Sequence, residues 1–115
     1  MIIFAIVRNK TDKMLHYFRC KALETAQKWI NMLNLIAKQV SSTNLYIERT
    51  LKYTHTSPMY IRNPDCQGYL GKKSAKTGNY RQRFFILKDG CLYFYLEIAS
   101  NITIGILSFK SFSAG

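Results

Sequence analysis

The apolar residues of this 115-residue chain follow a helical period in one stretch and alternate elsewhere, which limits the possible folds. Between residues 22 and 40 they recur at steps of three and four, as on the buried face of an amphipathic helix. The stripe consists of Ala22, Ala26, Trp29, Ile30, Leu33, Ile36, Ala37 and Val40. We assign Trp29, Ile30 and Leu33 to the structural core, since a tryptophan ring contributes a large buried area. The spacing predicts one helix that ends near Ser41.

The segments on either side of this helix have the composition of strands. Residues 2–7 are rich in β-branched side chains, residues 9–13 form a polar turn, and residues 14–20 alternate as a returning strand. After residue 66, strands are predicted at 67–72, 80–88, 91–96 and 102–109, with Asp89-Gly90 as a hairpin turn. The sequence therefore predicts a mainly β fold with one amphipathic helix.

The charge of the chain indicates an anionic partner. Lys and Arg number 17 against 6 Asp and Glu, a net charge of +11, which suits anionic lipid, nucleic acid or an acidic protein. The three cysteines form no pair with ligand-like spacing to His16 or His55. We therefore predict no metal site, no disulfide framework and no cofactor.

Basic residues are concentrated between Gly68 and Lys88, a stretch without Asp or Glu. Arg81 and Arg83 are two residues apart, so on a strand their side chains face the same side. If Lys72 ends the preceding strand, several cationic donors converge on one point. A multiply phosphorylated headgroup needs such convergence, because charge-assisted hydrogen bonds must replace the lost hydration of each phosphate.

The order of these segments resembles parts of the pleckstrin homology (PH) domain. Residues 68–73, a polar loop, residues 80–87 and residues 89–95 are similar to the first three strands of that family. Residues 1–40, a hairpin followed by a helix with Trp29, resemble its closing strands and C-terminal helix. The resemblance implies a PH-like antiparallel barrel or sandwich, either incomplete or permuted.

The resemblance also implies a lipid site. The lipid-binding pattern of the family, a Lys that closes the first strand and then a basic residue, any residue and Arg, is matched by Lys72, Arg81 and Arg83. The family often places a Tyr of the third strand against the headgroup, and Tyr93 is the matching position. The implied headgroup-binding residues are Lys72, Lys73, Lys76, Arg81, Arg83 and Tyr93.

The two resembling stretches come in reversed order. We interpret residues 1–40 as the C-terminal part of one PH-like domain, 41–64 as a linker containing Pro58 and Pro64, and 65–115 as the N-terminal part of another. The chain would then be a fragment of a tandem-PH protein. A split or permuted single domain is the alternative.

The function expected from these features is binding. We expect a non-catalytic module that recruits its parent, a cytoplasmic signalling protein, to phosphoinositide-containing membranes at the inner membrane surface. The alternative is a protein–protein interaction adaptor without strong lipid binding. Nucleic acid is disfavoured, because the alternation of Arg81 and Arg83 turns many aromatic rings to the opposite face. No arrangement of nucleophile, base and orienting residue is visible, so we predict that the chain is not an enzyme.

Overall fold

A computed structural model describes residues 1–7, 15–40 and 56–108, and within them an antiparallel sheet of six strands with one α-helix. The elements are β1 (Ile2–Val7), β2 (Leu15–Cys20), α1 (Leu23–Val40), β3 (Cys66–Lys73), β4 (Tyr80–Lys88), β5 (Cys91–Tyr95) and β6 (Gly105–Ser108). The predicted fold class, mainly β with one amphipathic helix, is confirmed. Among the described strands, β1 and β6 each pair on one side, so the sheet does not close.

Strands from the beginning and the end of the chain belong to one sheet. The strand order follows the chain from β1 to β6, and β2 is joined to β3 through two paired positions, Phe18 with Lys72 and Arg19 with Gly71. The described parts of segments 1–40 and 65–115 are thus neighbours in space. Their origin in two different domains stays a prediction.

The two segments also share one hydrophobic core, on the face of the sheet that we call the inner face. Its buried members come from β1, β2, α1, β3, β4 and β5: Phe4, Phe18, Ala26, Trp29, Leu33, Ile36, Cys66, Leu70, Phe85, Leu87 and Leu92. The Phe18 ring stacks on Phe4 at 5.5 Å and meets Phe85 edge to face at 5.3 Å between centroids. Burial of these aromatic rings holds the early hairpin against the later strands.

The helix buries a narrower stripe than the sequence suggested. Trp29 and Leu33 lie in the core, 1% and 6% exposed, but Ile30 is 36% exposed. The assignment of Ile30 to the core is wrong. Successive helical residues are separated by about 100°, so Ile30 points to the flank when Trp29 faces the sheet.

The opposite, outer face of the sheet carries a second cluster. Its members are Ile61, Phe84, Ile86, Cys91, Tyr93 and Tyr95. The Tyr95 hydroxyl donates a hydrogen bond of 3.0 Å to the Thr56 carbonyl, and a 3₁₀ turn at Pro58–Tyr60 leads to the buried Ile61. Residues 56–64 of the predicted linker therefore pack against the sheet. Residues 41–55, like the predicted turn at 9–13 and the end of the last predicted strand at 109, lie outside the described residues.

The β4–β5 hairpin turns where the sequence predicted. Asp89 and Gly90 have φ values of 51° and 79°, which is the left-handed backbone of a type I′ turn. Lys88 and Cys91 are opposite each other on either side of it. This turn fixes the register of β5 against β4, and with it the face to which each β5 side chain points.

Candidate anion-binding site

The β3–β4 hairpin extends beyond the rest of the inner core. β3 pairs with β4 from Cys66–Leu87 to Lys73–Tyr80, whereas pairing of β4 with β5 stops at Phe84–Tyr95. The first residues of β4, Tyr80–Arg83, consequently lie past the end of β5. The inner face of the hairpin is therefore open at this end.

Three of the predicted headgroup residues meet on that open inner face. Arg81 and Arg83 share a face with the buried Phe85, and Lys72 is directly opposite Arg81. Like charges at directly opposed positions destabilise a strand pair. An arrangement that opposes Lys72 to Arg81 therefore lowers stability unless an anion lies between them.

These cations line a shallow cavity of about 180 Å³. Its walls are Lys72, Lys73, Ser74, Arg81, Arg83, Phe94 and Ile104. Four of these seven residues are cationic, and no described acidic residue is among them. The charge of the cavity is thus uncompensated by the protein residues that line it.

Lys72 is partly desolvated. Burial lowers the pKa of its amino group below the ordinary 10.5, because the charged form loses hydration. Its Nζ lies 5.5 Å from the centre of the Phe94 ring, a cation–π contact that returns part of this loss. A phosphate oxygen in the cavity would supply the remaining compensation.

The other predicted lysines have different positions. Lys73 lies at the rim of the cavity, and its Nζ is 5.1 Å from the centre of the Tyr17 ring. Lys76 is exposed on the β3–β4 loop and does not line the cavity. That loop is closed by a 2.8 Å hydrogen bond from the Ser74 N–H to the Asn79 carbonyl, and the Lys76 N–H donates to Ser74 Oγ at 3.3 Å. The structure therefore does not place Lys76 with the cations of the cavity.

The predicted role of Tyr93 is wrong. Tyr93 is fully buried in the outer cluster, and burial raises the pKa of its hydroxyl well above the usual range. The aromatic residue of β5 that faces the cavity is Phe94, one position later, which pairs with Phe85. Because a shift of one residue changes the face of a strand, Tyr93 and the cavity lie on opposite sides of the sheet. Counting from the Asp89-Gly90 turn would have assigned Phe94 to the face of Arg83.

A second group of basic residues, which the sequence did not single out, lies where β2 meets β3. A groove of about 470 Å³ is lined by Met1, Arg19, Cys20, Lys21, Ala22, Thr25, Tyr69, Leu70, Gly71 and Gln82. The Arg19 guanidinium lies 4.5 Å from the centre of the Tyr80 ring. Arg19 crosses Gly71, where an added Cβ would be 2.8 Å from Arg19 Cγ. The sequence did not indicate the position of Arg19, because that position depends on the pairing of β2 with β3.

Two features are absent from the part of the chain that the structure describes. No group of three or more His, Cys, Asp or Glu side chains converges in residues 1–7, 15–40 and 56–108. Over the same ranges, no helix has the length and apolar character that crossing a bilayer requires.

No family model and no solved structure matches the chain. Over 102 residues it is 26% identical to a probable serine/threonine-protein kinase of Dictyostelium discoideum. That match covers 89% of the chain and 5% of the kinase.

This similarity corrects one expectation. The chain was predicted not to be an enzyme, and that prediction is contradicted by its similarity to a region of a protein named as a kinase. The matched region is 5% of the kinase, so the similarity does not assign catalysis to these residues.

Proposed function

We propose that this chain is a PH-like module that binds the phosphates of a phosphoinositide headgroup in the cavity of Lys72, Arg81 and Arg83. The observation that carries the proposal is the meeting of these three cations on one open inner face, with no described acidic residue in the cavity wall. The same face is apolar and buried over the rest of the hairpin. The end that carries the cations therefore differs from the core and is available to a ligand.

The chemistry of the three side chains suits phosphate. A guanidinium can grip two phosphate oxygens at once, while a lysine acts as a point charge. One guanidinium nitrogen of Arg83 donates to the Gln82 carbonyl at 2.8 Å, which orients the group and leaves its other N–H donors for a ligand. The cavity is small, so the phosphates would lie inside and the inositol ring at its mouth.

The kinase similarity supports a place for the module in a larger signalling protein. A region that covers 5% of a long kinase is the size of an accessory module. We propose that headgroup binding recruits such a protein to the cytoplasmic face of a membrane, where polyphosphoinositides would concentrate it.

Sedimentation with vesicles tests the proposal. The chain should bind phosphatidylinositol bisphosphate vesicles more tightly than phosphatidylserine vesicles of equal charge. Arg83→Ala should weaken that binding by about 1.5–3 kcal/mol, since a charge-assisted contact is lost. Arg62→Ala is the matched control, because Arg62 is exposed and does not line the cavity.

Two results would count against the proposal. Equal binding to both kinds of vesicle, unchanged by Arg83→Ala, would reduce the interaction to general electrostatic attraction. No lipid binding, together with retention of a specific protein partner in a pull-down, would favour the adaptor alternative.

A further inference from the structure

The loop between β5 and β6, residues 96–104, exposes an unusual number of aliphatic side chains. Leu96, Ile98, Ile102 and Ile104 are 58%, 44%, 56% and 50% exposed. Glu97 is the charged residue among these nine. Single exposed apolar residues are ordinary, but a cluster of them marks an interaction surface.

This apolar loop adjoins the cationic cavity. Ile104 lines the cavity together with Arg83 and Phe94. The Ile104 N–H donates a 2.8 Å hydrogen bond to the Phe94 carbonyl, which holds the end of the loop beside the cavity. Ile104 therefore joins the end of the apolar loop to the cationic cavity.

The backbone of the loop is held in place although its side chains are exposed. The Glu97 N–H donates to Ser100 Oγ and the Ser100 N–H to the Glu97 carbonyl, both at 3.1 Å. The Ile98 N–H donates to the Tyr69 hydroxyl, also at 3.1 Å. The loop therefore presents its aliphatic side chains without needing to fold on contact.

We infer that loop 96–104 inserts its aliphatic side chains into the interfacial region of a bilayer while the adjacent cavity holds the phosphates of a headgroup. The inference rests on the proposed function and adds a second point of membrane contact. A membrane surface offers anionic phosphate next to hydrocarbon, the same two chemistries that Arg83 and Ile104 present side by side. Burial of apolar side chains and attraction to anionic lipid strengthen interfacial binding together.

The test separates insertion from headgroup recognition. Binding of wild type and of a Leu96→Gln/Ile102→Gln variant is measured with soluble inositol trisphosphate by calorimetry and with phosphatidylinositol bisphosphate vesicles by sedimentation. The variant should bind vesicles roughly tenfold or more weakly, since two aliphatic side chains lose their transfer into lipid, and should bind inositol trisphosphate unchanged. Leu23→Gln/Leu35→Gln is the matched control, as these helix residues are 56% and 50% exposed and lie outside the loop.

The possible failures are distinguishable. Vesicle binding equal to wild type, or an equal loss of inositol trisphosphate binding, would overturn the insertion and leave the headgroup site in place. No inositol trisphosphate binding by the unsubstituted chain would refute the proposed function, and the inference with it.

Insertion depth provides an independent measurement. Ile102→Trp fluorescence should be quenched by brominated lipid, whereas the buried Trp29 gives a constant background in every variant. Absence of that quenching on bound vesicles would overturn the inference even if the affinity had changed.

Discussion

The inner face of the β3–β4 hairpin has two ends that share the same strands but differ in what covers them. Towards the Asp89-Gly90 turn, Phe85 and Leu87 are fully buried, whereas at the other end Arg81 and Arg83 line an open cavity. Both pairs follow the same alternation. The difference teaches that the alternation of β3 and β4 does not decide which part of this face is core. Packing by α1 and β5 decides which part is core and which is available to a ligand.

Phe94 connects the two ends. Its ring stacks on Phe85 at 5.5 Å between centroids, and the Lys72 Nζ lies 5.5 Å from its centre on the cavity side. A change at Phe94 or beneath it should therefore affect both stability and binding, whereas changes at either end should separate the two.

The largest expected effect is at the core end. Phe85→Ala removes a fully buried ring that contacts Phe18 and Phe94, and should lower the free energy of unfolding by about 3–5 kcal/mol. Urea denaturation measures the change, with Gln82→Ala, an exposed position of the same strand, as control. A loss as small as that of the control would mean that the two ends are not different in packing.

A smaller effect is expected where the ends meet. In Gly105→Ala the new Cβ would overlap the Phe94 ring, so the ring must move, at a cost of about 1–3 kcal/mol. Headgroup binding should weaken as well, because Phe94 is a wall of the cavity. Gly71→Ala is the comparison, since its Cβ meets the flexible side chain of Arg19. Lower stability with unchanged headgroup affinity would show that Phe94 does not couple the ends.

The smallest effect should be a gain in stability at the cavity end. Lys72→Met removes a partly desolvated charge and should raise the free energy of unfolding by about 0.5–2 kcal/mol while headgroup binding falls. Burial lowers the pKa of Lys72, so the loss of stability caused by burying its charge depends on pH. This loss is absent above pH 10.5 and grows as pH falls towards the pKa of Lys72 in the folded state. The gain should therefore be present at pH 7 and vanish above pH 10.5, in denaturation curves compared with wild type. A gain independent of pH would point to improved packing instead.

Local patterns predicted much of this structure because they depend on neighbouring residues. β4 runs from Tyr80 to Lys88 as predicted, α1 contains the predicted stripe from Ala26 onward, and Arg81 and Arg83 share a face of β4. Each of these follows from a period of 2 or 3.6 within one element. Tyr93 was assigned to the site from the family resemblance alone, whereas the pairing of β4 with β5 puts Phe94 on the face of Arg83.

The remaining features depend on contacts between distant parts of the chain. The pairing of Phe18 with Lys72 joins segments that have no shared pattern, and it determines where Arg19 lies. The exposure of Ile102 and Ile104 could not be read from the sequence either, because the same residues suit the start of a strand. Only the assembled sheet shows that β6 begins at Gly105 and leaves them outside it.

The shared core also has a consequence for how the chain is made. Phe18 and Trp29 are synthesised well before Phe85 and Leu92, the partners that bury them in the inner core. At ordinary rates of translation the delay is on the order of several seconds, during which that apolar surface has no native cover. The first hairpin and helix therefore expose apolar surface until the later strands are synthesised. The cations of the cavity are carried by one late hairpin and emerge from the ribosome almost together.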